Sequence, residues 1–199
     1  MDPAAAPGPT PPFTRCSLAT TEQNDTKMND KKRIALISTG GTIEKTYDEF
    51  HGVLGNASSV LDVVLAGMQL NGVEIIRVPL LNKDSLEMTE QDHELIARTA
   101  SAMAEAHDGV VIVHGTDRLP KTGDVLSELC ADLQVPIVLT GAMRPYIMRN
   151  TDALQSMTEA LIAVQIMPPG IYCVMHNQVL KFPGVIKNRE LGTFVRADD

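Results

Sequence analysis

Three short stretches of this chain place hydroxyls, a carboxylate and tight glycine turns at the ends of apolar runs. Thr39-Gly40-Gly41-Thr42-Ile43-Glu44 follows Ile34-Ala35-Leu36-Ile37, and His114-Gly115-Thr116-Asp117 follows Val110-Val111-Ile112-Val113. Thr140-Gly141-Ala142-Met143-Arg144-Pro145 follows Ile137-Val138-Leu139. A threonine hydroxyl is a weak nucleophile until a base takes its proton, and a desolvated lysine or a tyrosine near a carboxylate can serve. Lys187 and Tyr47 are the candidates. Backbone N–H groups in glycine turns can hold the oxyanion formed by attack on a carbonyl, each worth about 3 kcal/mol. The chemistry these residues define is acyl transfer, with Thr42 as nucleophile. Taken alone, Gly40-Gly41 equally fits a plain turn with Thr42 as a helix N-cap.

The elements that must position these residues follow from hydrophobic periodicity. Short apolar runs alternate with helical patterns from Arg33 onward, which predicts an α/β fold with a mainly parallel sheet. After the first strand, Lys45 to Asn56 reads as a polar loop able to act as a lid. Ser58 or Ser59 caps a helix with Val60, Val63, Val64 and Met68 inward, and Val73 to Leu80 is the second strand. A loop over Leu81 to Met88 carries Ser85 and Glu87. Thr89 and Asp92 then form a capping box for a helix running to about His107. Its predicted buried stripe is Leu95, Ile96, Thr99 and Met103, with His93 and His107 in solvent.

Val110 to Val113 is the third strand, Lys121 to Leu133 a helix with Leu126, Leu129 and Cys130 inward, and Val135 to Leu139 the fourth strand. Pro136 must open that strand. A helix over Asp152 to Gln165 precedes the fifth strand, Ile171 to Met175, and a short hairpin into Val179-Leu180. Right-handed crossovers most economically give a doubly wound, flavodoxin-like sheet of order 2-1-3-4-5. That order brings the turns of Thr42 and Thr116 together at the switch point between strands 1 and 3.

Composition bounds the remaining possibilities. The chain has 199 residues, enough for one well-packed core. Residues 1–30 form a Pro-rich extension expected to be disordered, without the basic and apolar regions of a secretory signal, and residues 31–199 form one domain. A net charge of -8 argues against a nucleic-acid partner, and no apolar run approaches a membrane span. Cys16, Cys130 and Cys173 lack metal or redox spacing and read as free thiols in a reducing cytoplasm. No metal or cofactor is expected.

The chain resembles the bacterial L-asparaginase and glutaminase family, as a short form holding only the N-terminal domain. The stretches that carry the resemblance are T-G-G-T-I (39–43), D-S-L-E-M-T (84–89), H-G-T-D (114–117), L-T-G-A-M-R-P (139–145) and N-T-D (150–152). The resemblance implies that Thr42 attacks the side-chain amide, assisted by Tyr47. Thr116, Asp117 and Lys187 form a second catalytic cluster. It further implies that Ser85 holds the substrate α-carboxylate and Asp117 its α-ammonium, and that Ala142 lines the leaving-amide side. Gly41 and Gly115 join the substrate-binding residues.

The implied activity is hydrolysis of L-asparagine to aspartate and ammonia by a cytoplasmic homo-oligomer, dimer or tetramer. Two alternatives stand beside it: a catalytically silent amino-acid-binding module, and an amidase acting on glutamine or feeding ammonia to a partner. The sequence departs from the family pattern at Arg118-Leu119-Pro120-Lys121-Thr122-Gly123, at Ala153-Leu154 and at Leu86, where a polar side chain reaching the α-amino group is usual. A carboxylate that the family's C-terminal domain supplies must come from elsewhere, with Glu44, Asp48 or Glu49 as candidates.

Overall fold

A computed structural model describes residues 31–198 except 57, 58 and 131. The Pro-rich extension and Ser58 lie outside the described residues. The first strand, β1 (Lys32–Gly40), is buried from Ile34 to Gly40 because both its faces are covered. A small hairpin of β2 (Thr46–Asp48) and β3 (Val53–Gly55) follows, occupying the segment expected to be a loop. Helix α1 (Leu61–Ala66) has Val60 at its N-cap, without a side-chain cap; Ser59, expected with Ser58 to be the cap, stands one residue earlier, its Oγ accepting from the Leu61 N–H at 3.3 Å. Val63 faces solvent rather than the core.

Strand β4 (Val73–Lys83) runs three residues past its predicted end and pairs in parallel with β1. Helix α2 (Glu90–Ala104) carries the predicted capping box: Asp92 N–H donates to Thr89 Oγ1, and Thr89 N–H donates to Asp92. Its buried face is His93, Ile96, Ala97 and Ala100, while Leu95 is exposed. The predicted stripe is therefore about one position out of phase, and the expectation that His93 is solvated is overturned. Two small alanines let α2 lie close on the sheet, and a periodicity read from large side chains alone misses them.

Strand β5 (Gly109–Val113), helix α3 (Leu119–Leu129), strand β6 (Pro136–Thr140), helix α4 (Ala153–Ile166) and strand β7 (Gly170–Met175) complete the crossovers. Pro120, in the first turn of α3, has no N–H to leave unpaired there, so the helix opens earlier than Lys121. Leu129, predicted inward, is exposed. Strand β8 (Gln178–Lys181) returns antiparallel to β7 through His176 and Asn177, whose φ values of 55° and 60° are those of a tight hairpin turn. The sheet order is β4-β1-β5-β6-β7-β8, which is the predicted 2-1-3-4-5 with an antiparallel edge strand added.

Strand alternation sorts the core into two halves. Ala35, Ile37, Val110, Ile112, Ile137 and Leu139 face α2 and α3. Ile34, Leu36, Val111, Val113 and Val138 face α1 and α4. A final hairpin, β9 (Val185–Asn188) with β10 (Thr193–Arg196), was not predicted from sequence. It is anchored by buried Val185 and Phe194 and carries Lys187 opposite Phe194.

Candidate active site

The parallel register brings Ser38 opposite Val113 and Val113 opposite Thr140, so three turns open along one edge of the sheet. Gly41 has φ 83°, and a side chain there would overlap the Gly115 backbone. The first and second turns are thus in backbone contact, as the strand order required. His114 N–H donates to Thr140 O at 2.9 Å and Tyr146 N–H to Ile43 O at 3.3 Å, which tie in the third turn. Gly41 N–H donates to Lys83 O at 2.9 Å, and Asn56 Nδ2 donates to Gly41 O at 3.0 Å. The turn that carries Thr42 is therefore fixed from both sides.

At the centre of this edge Thr116 is 2% exposed. Lys187 Nζ reaches over from β9, 2.7 Å from Thr116 Oγ1 and 3.1 Å from Asp117 Oδ1. Asp117 Oδ1 also accepts from Arg189 Nη2 at 2.7 Å. A charged lysine donates to both oxygens; once it has lost its proton it can accept one from the Thr116 hydroxyl. A hydroxyl, an amine and a carboxylate at hydrogen-bond range can together pass a proton.

Ser85 lies against the other side of the second turn, where a side chain at Gly115 would meet its Oγ at 2.6 Å. That Oγ is buried without a protein partner among the described residues. Orphaned buried hydroxyls are uncommon, and at a site they suit a ligand. Its neighbour Asp84 accepts from Lys45 Nζ at 2.7 Å, and this bond holds the Asp84 carboxyl below its ordinary range. Ala142 is fully buried at the end of β6. Its turn is held by Asp152, which accepts from Met143 N–H at 2.8 Å and Arg144 N–H at 3.0 Å.

Thr42 opens a short 3-10 turn and is half-buried, and its hydroxyl makes no hydrogen bond among the described residues. Tyr47 pairs with Leu54 in the β2–β3 hairpin and is 61% exposed, without a hydrogen bond to Thr42. The structure thus gathers Gly41, Thr42, Ser85, Gly115, Thr116, Asp117, Ala142 and Lys187 along one edge, and leaves Tyr47 outside it. Of the candidate replacement carboxylates, Glu44 is buried beside Ser59 and Arg77, and burial raises its pKa. Asp48 is taken up by His51 within the hairpin, and Glu49 is exposed.

Sequence reasoning missed three contributors. Arg189 stands two residues after Lys187, in the turn just past the end of β9, and reaches the same Asp117 oxygen. His93 and Thr122 form a buried chain with His114: His93 Nδ1 to Thr122 Oγ1 at 2.7 Å, Thr122 Oγ1 to His114 Nε2 at 2.8 Å, and His114 Nδ1 to Gly115 O at 2.8 Å. Gly115 O can only accept, so His114 carries its proton on Nδ1 and Thr122 donates to Nε2. His93 Nδ1 must then donate to Thr122. Burial pushes the His114 pKa down to about 4 and that of His93 downward, so both rings are neutral at neutral pH. The chain holds the Gly115 carbonyl, one residue from Thr116.

A doubly wound sheet carries the Thr42 and Thr116 turns side by side at its switch point. The chain belongs to the asparaginase family: the family model described as "Asparaginase, N-terminal" matches residues 33–193. An L-asparaginase of Thermococcus kodakarensis is 32% identical over 162 residues, covering 80% of this chain and 49% of that protein. The solved structure of the thermostable enzyme from that organism superposes with a TM-score of 0.75, over 82% of this chain and 51% of that one. A probable cytoplasmic L-asparaginase from Campylobacter jejuni superposes with a TM-score of 0.70 at 28% identity, over 84% and 54% of the two chains. A glutamyl-tRNA(Gln) amidotransferase subunit of Methanococcus vannielii is 30% identical over 155 residues, 77% of this chain and 36% of that protein. The chain therefore spans about half the length, or less, of these curated relatives.

Proposed function

We propose that this chain is an amidohydrolase of the asparaginase type, acting on the primary side-chain amide of a short carboxylic acid. L-asparagine is the reference substrate, taken from the names of its relatives. Thr42 Oγ attacks the amide carbon, the C–N bond breaks, and the nitrogen leaves as ammonia with the hydroxyl proton. Water then adds to the Thr42 ester and releases aspartate. Lys187, set by Asp117, moves the proton through Thr116, and Ser85 holds the substrate carboxylate.

The observation that carries this reading is the Lys187 amine 2.7 Å from a buried threonine hydroxyl, in a turn whose backbone touches that of Thr42. A silent amino-acid-binding module needs no such pair. Purified full chain should release ammonia from L-asparagine, and Lys187→Met should cut kcat by about 100-fold or more with the fold kept by circular dichroism. Absence of turnover with asparagine, glutamine and their analogues would sink the proposal. Similarity to amidotransferase subunits favours a second reading, in which the ammonia passes to a partner; co-purification of a second protein is its test. Self-association into a dimer or tetramer belongs to the main proposal, and a monomeric mass at micromolar concentration counts against that part.

A further inference from the structure

Behind the second turn, a buried line of hydrogen bonds fixes where each proton stands. We infer that His93 is a positioning residue of the candidate site: with Thr122 it dictates that His114 carries its proton on Nδ1, and so pins the Gly115 carbonyl and the Thr116 that follows it. This inference rests on the amidohydrolase reading above and adds residues to it. His93 and Thr122 lie outside the stretches that carry the family resemblance, and Thr122 falls in one that departs from the family pattern.

His93 and His114 are both fully buried, their rings 6.3 Å apart and 16° from parallel, and the Thr122 hydroxyl bonds to both. That hydroxyl has a single proton to give. Two acceptors compete for it: His114 Nε2 at 2.8 Å, and the Arg118 carbonyl four residues back at 3.5 Å. A threonine inside a helix commonly turns its hydroxyl to such a carbonyl. Here the N–H of His93 Nδ1, 2.7 Å from Thr122 Oγ1, fills a lone pair of that oxygen and leaves its proton aimed at His114. With the opposite tautomer of His93, Thr122 would donate to His93 and set a lone pair against the one on His114 Nε2. Only one placement of protons satisfies every bond, and it ends on the Gly115 carbonyl, which accepts from His114 Nδ1 at 2.8 Å.

The cost of this arrangement stands at its far end. His93 Nε2 is buried without a partner among the described residues. An unpaired buried nitrogen weakens a fold, and an apolar side chain on this face of α2, with Ile96 and Ala97, would fill the space without it. Stability alone therefore does not account for a histidine here. The Gly115 carbonyl and the Thr116 N–H share one planar peptide, so turning the first turns the second. The Thr116 hydroxyl must also stay 2.7 Å from Lys187 Nζ. Backbone at Gly115 is packed against Gly41 on one side and Ser85 on the other, which leaves the turn little slack once its carbonyl is held.

The test uses the full chain with isotope-labelled histidine, read by nitrogen NMR, beside asparagine kinetics. The native His114 ring should show the Nδ1-protonated tautomer, and His93→Leu should lose it to the other tautomer or to a mixture. In His93→Leu kcat should fall about tenfold and KM should change less than about twofold, with the melting temperature unchanged or raised. His93→Asn, whose amide can donate from the place of Nδ1, should recover most of the rate. Thr122→Val breaks the same line at its middle, without relying on how position 93 accommodates leucine. It should lose tautomer and rate alike, and adding His93→Leu to it should cost little more. A native ring protonated on Nε2 overturns the inference, as does a rate loss that only tracks a lowered melting temperature. Turnover by the native chain that neither variant changes leaves the amidohydrolase reading standing and removes this one. Ammonia from no amide in the native chain removes both.

Discussion

Ser85 separates what a residue does for the fold from what it does for a ligand. Its hydroxyl is buried and unpaired against Gly115, so it adds no hydrogen bond to the folded protein and bears a desolvation cost. Ser85→Ala should leave the melting temperature unchanged or raise it, while raising KM about tenfold as the bond to a substrate carboxylate is lost. A loss of stability without a change in KM would assign the hydroxyl to the fold. Gly41 makes the opposite case. Its positive φ and its contact with Gly115 leave no room for a methyl group. Gly41→Ala should cost about 1–3 kcal/mol in chemical denaturation and separate the Thr42 turn from the Thr116 turn, abolishing most activity.

At the scale of elements, the hairpin of β9 and β10 decides whether Lys187 reaches Thr116. Besides its buried Val185 and Phe194, it is tied to the third turn through an imidazole: His176 Nε2 lies 2.9 Å from buried Asp152, and its Nδ1 lies 3.2 Å from Thr193 Oγ1 on β10. Asp152 in turn fixes the Met143 and Arg144 N–H groups of the third turn. His176→Ala should lower kcat by about tenfold with a smaller change in KM, since displacing a base by a fraction of an ångström costs rate before binding. The capping box of helix α2 contributes to the fold: Thr89→Ala removes one half of it and should cost about 1 kcal/mol in denaturant unfolding.

Across the whole molecule, the buried histidines set the response to acid. The His114 pKa is about 4 in the folded chain against 6.5 for the free side chain. Between those values the unfolded chain binds a proton that the folded chain excludes. The stability this represents is fully present above pH 6.5 and is lost as pH falls toward 4, by about 3 kcal/mol in total. His93 is shifted in the same direction by burial and adds to the loss. Denaturant midpoints measured across that range should fall with pH. The slope should flatten in His114→Gln; an unchanged slope would show that other groups govern acid unfolding.

The sequence by itself determined the doubly wound order and the meeting of the Thr42 and Thr116 turns. Both follow from local signals, since apolar runs such as Val110 to Val113 and the glycines after them are legible without knowing their neighbours. The capping box at Thr89 was legible for the same reason. The tertiary structure alone decided what those turns face. Strands of four residues with mixed polarity, as in β9 and β10, carry too little periodicity to be read, so the alignment of Lys187 with Arg189 over Asp117 stayed hidden. The small-residue packing of Ala97 and Ala100 drew His93 inside against a periodicity that had placed it in solvent. Tyr47 was assigned by likeness to a loop, yet its hairpin holds it out in solvent. Local pattern specifies where a chain turns; side-chain partners from distant strands, set by packing, specify which charges meet there.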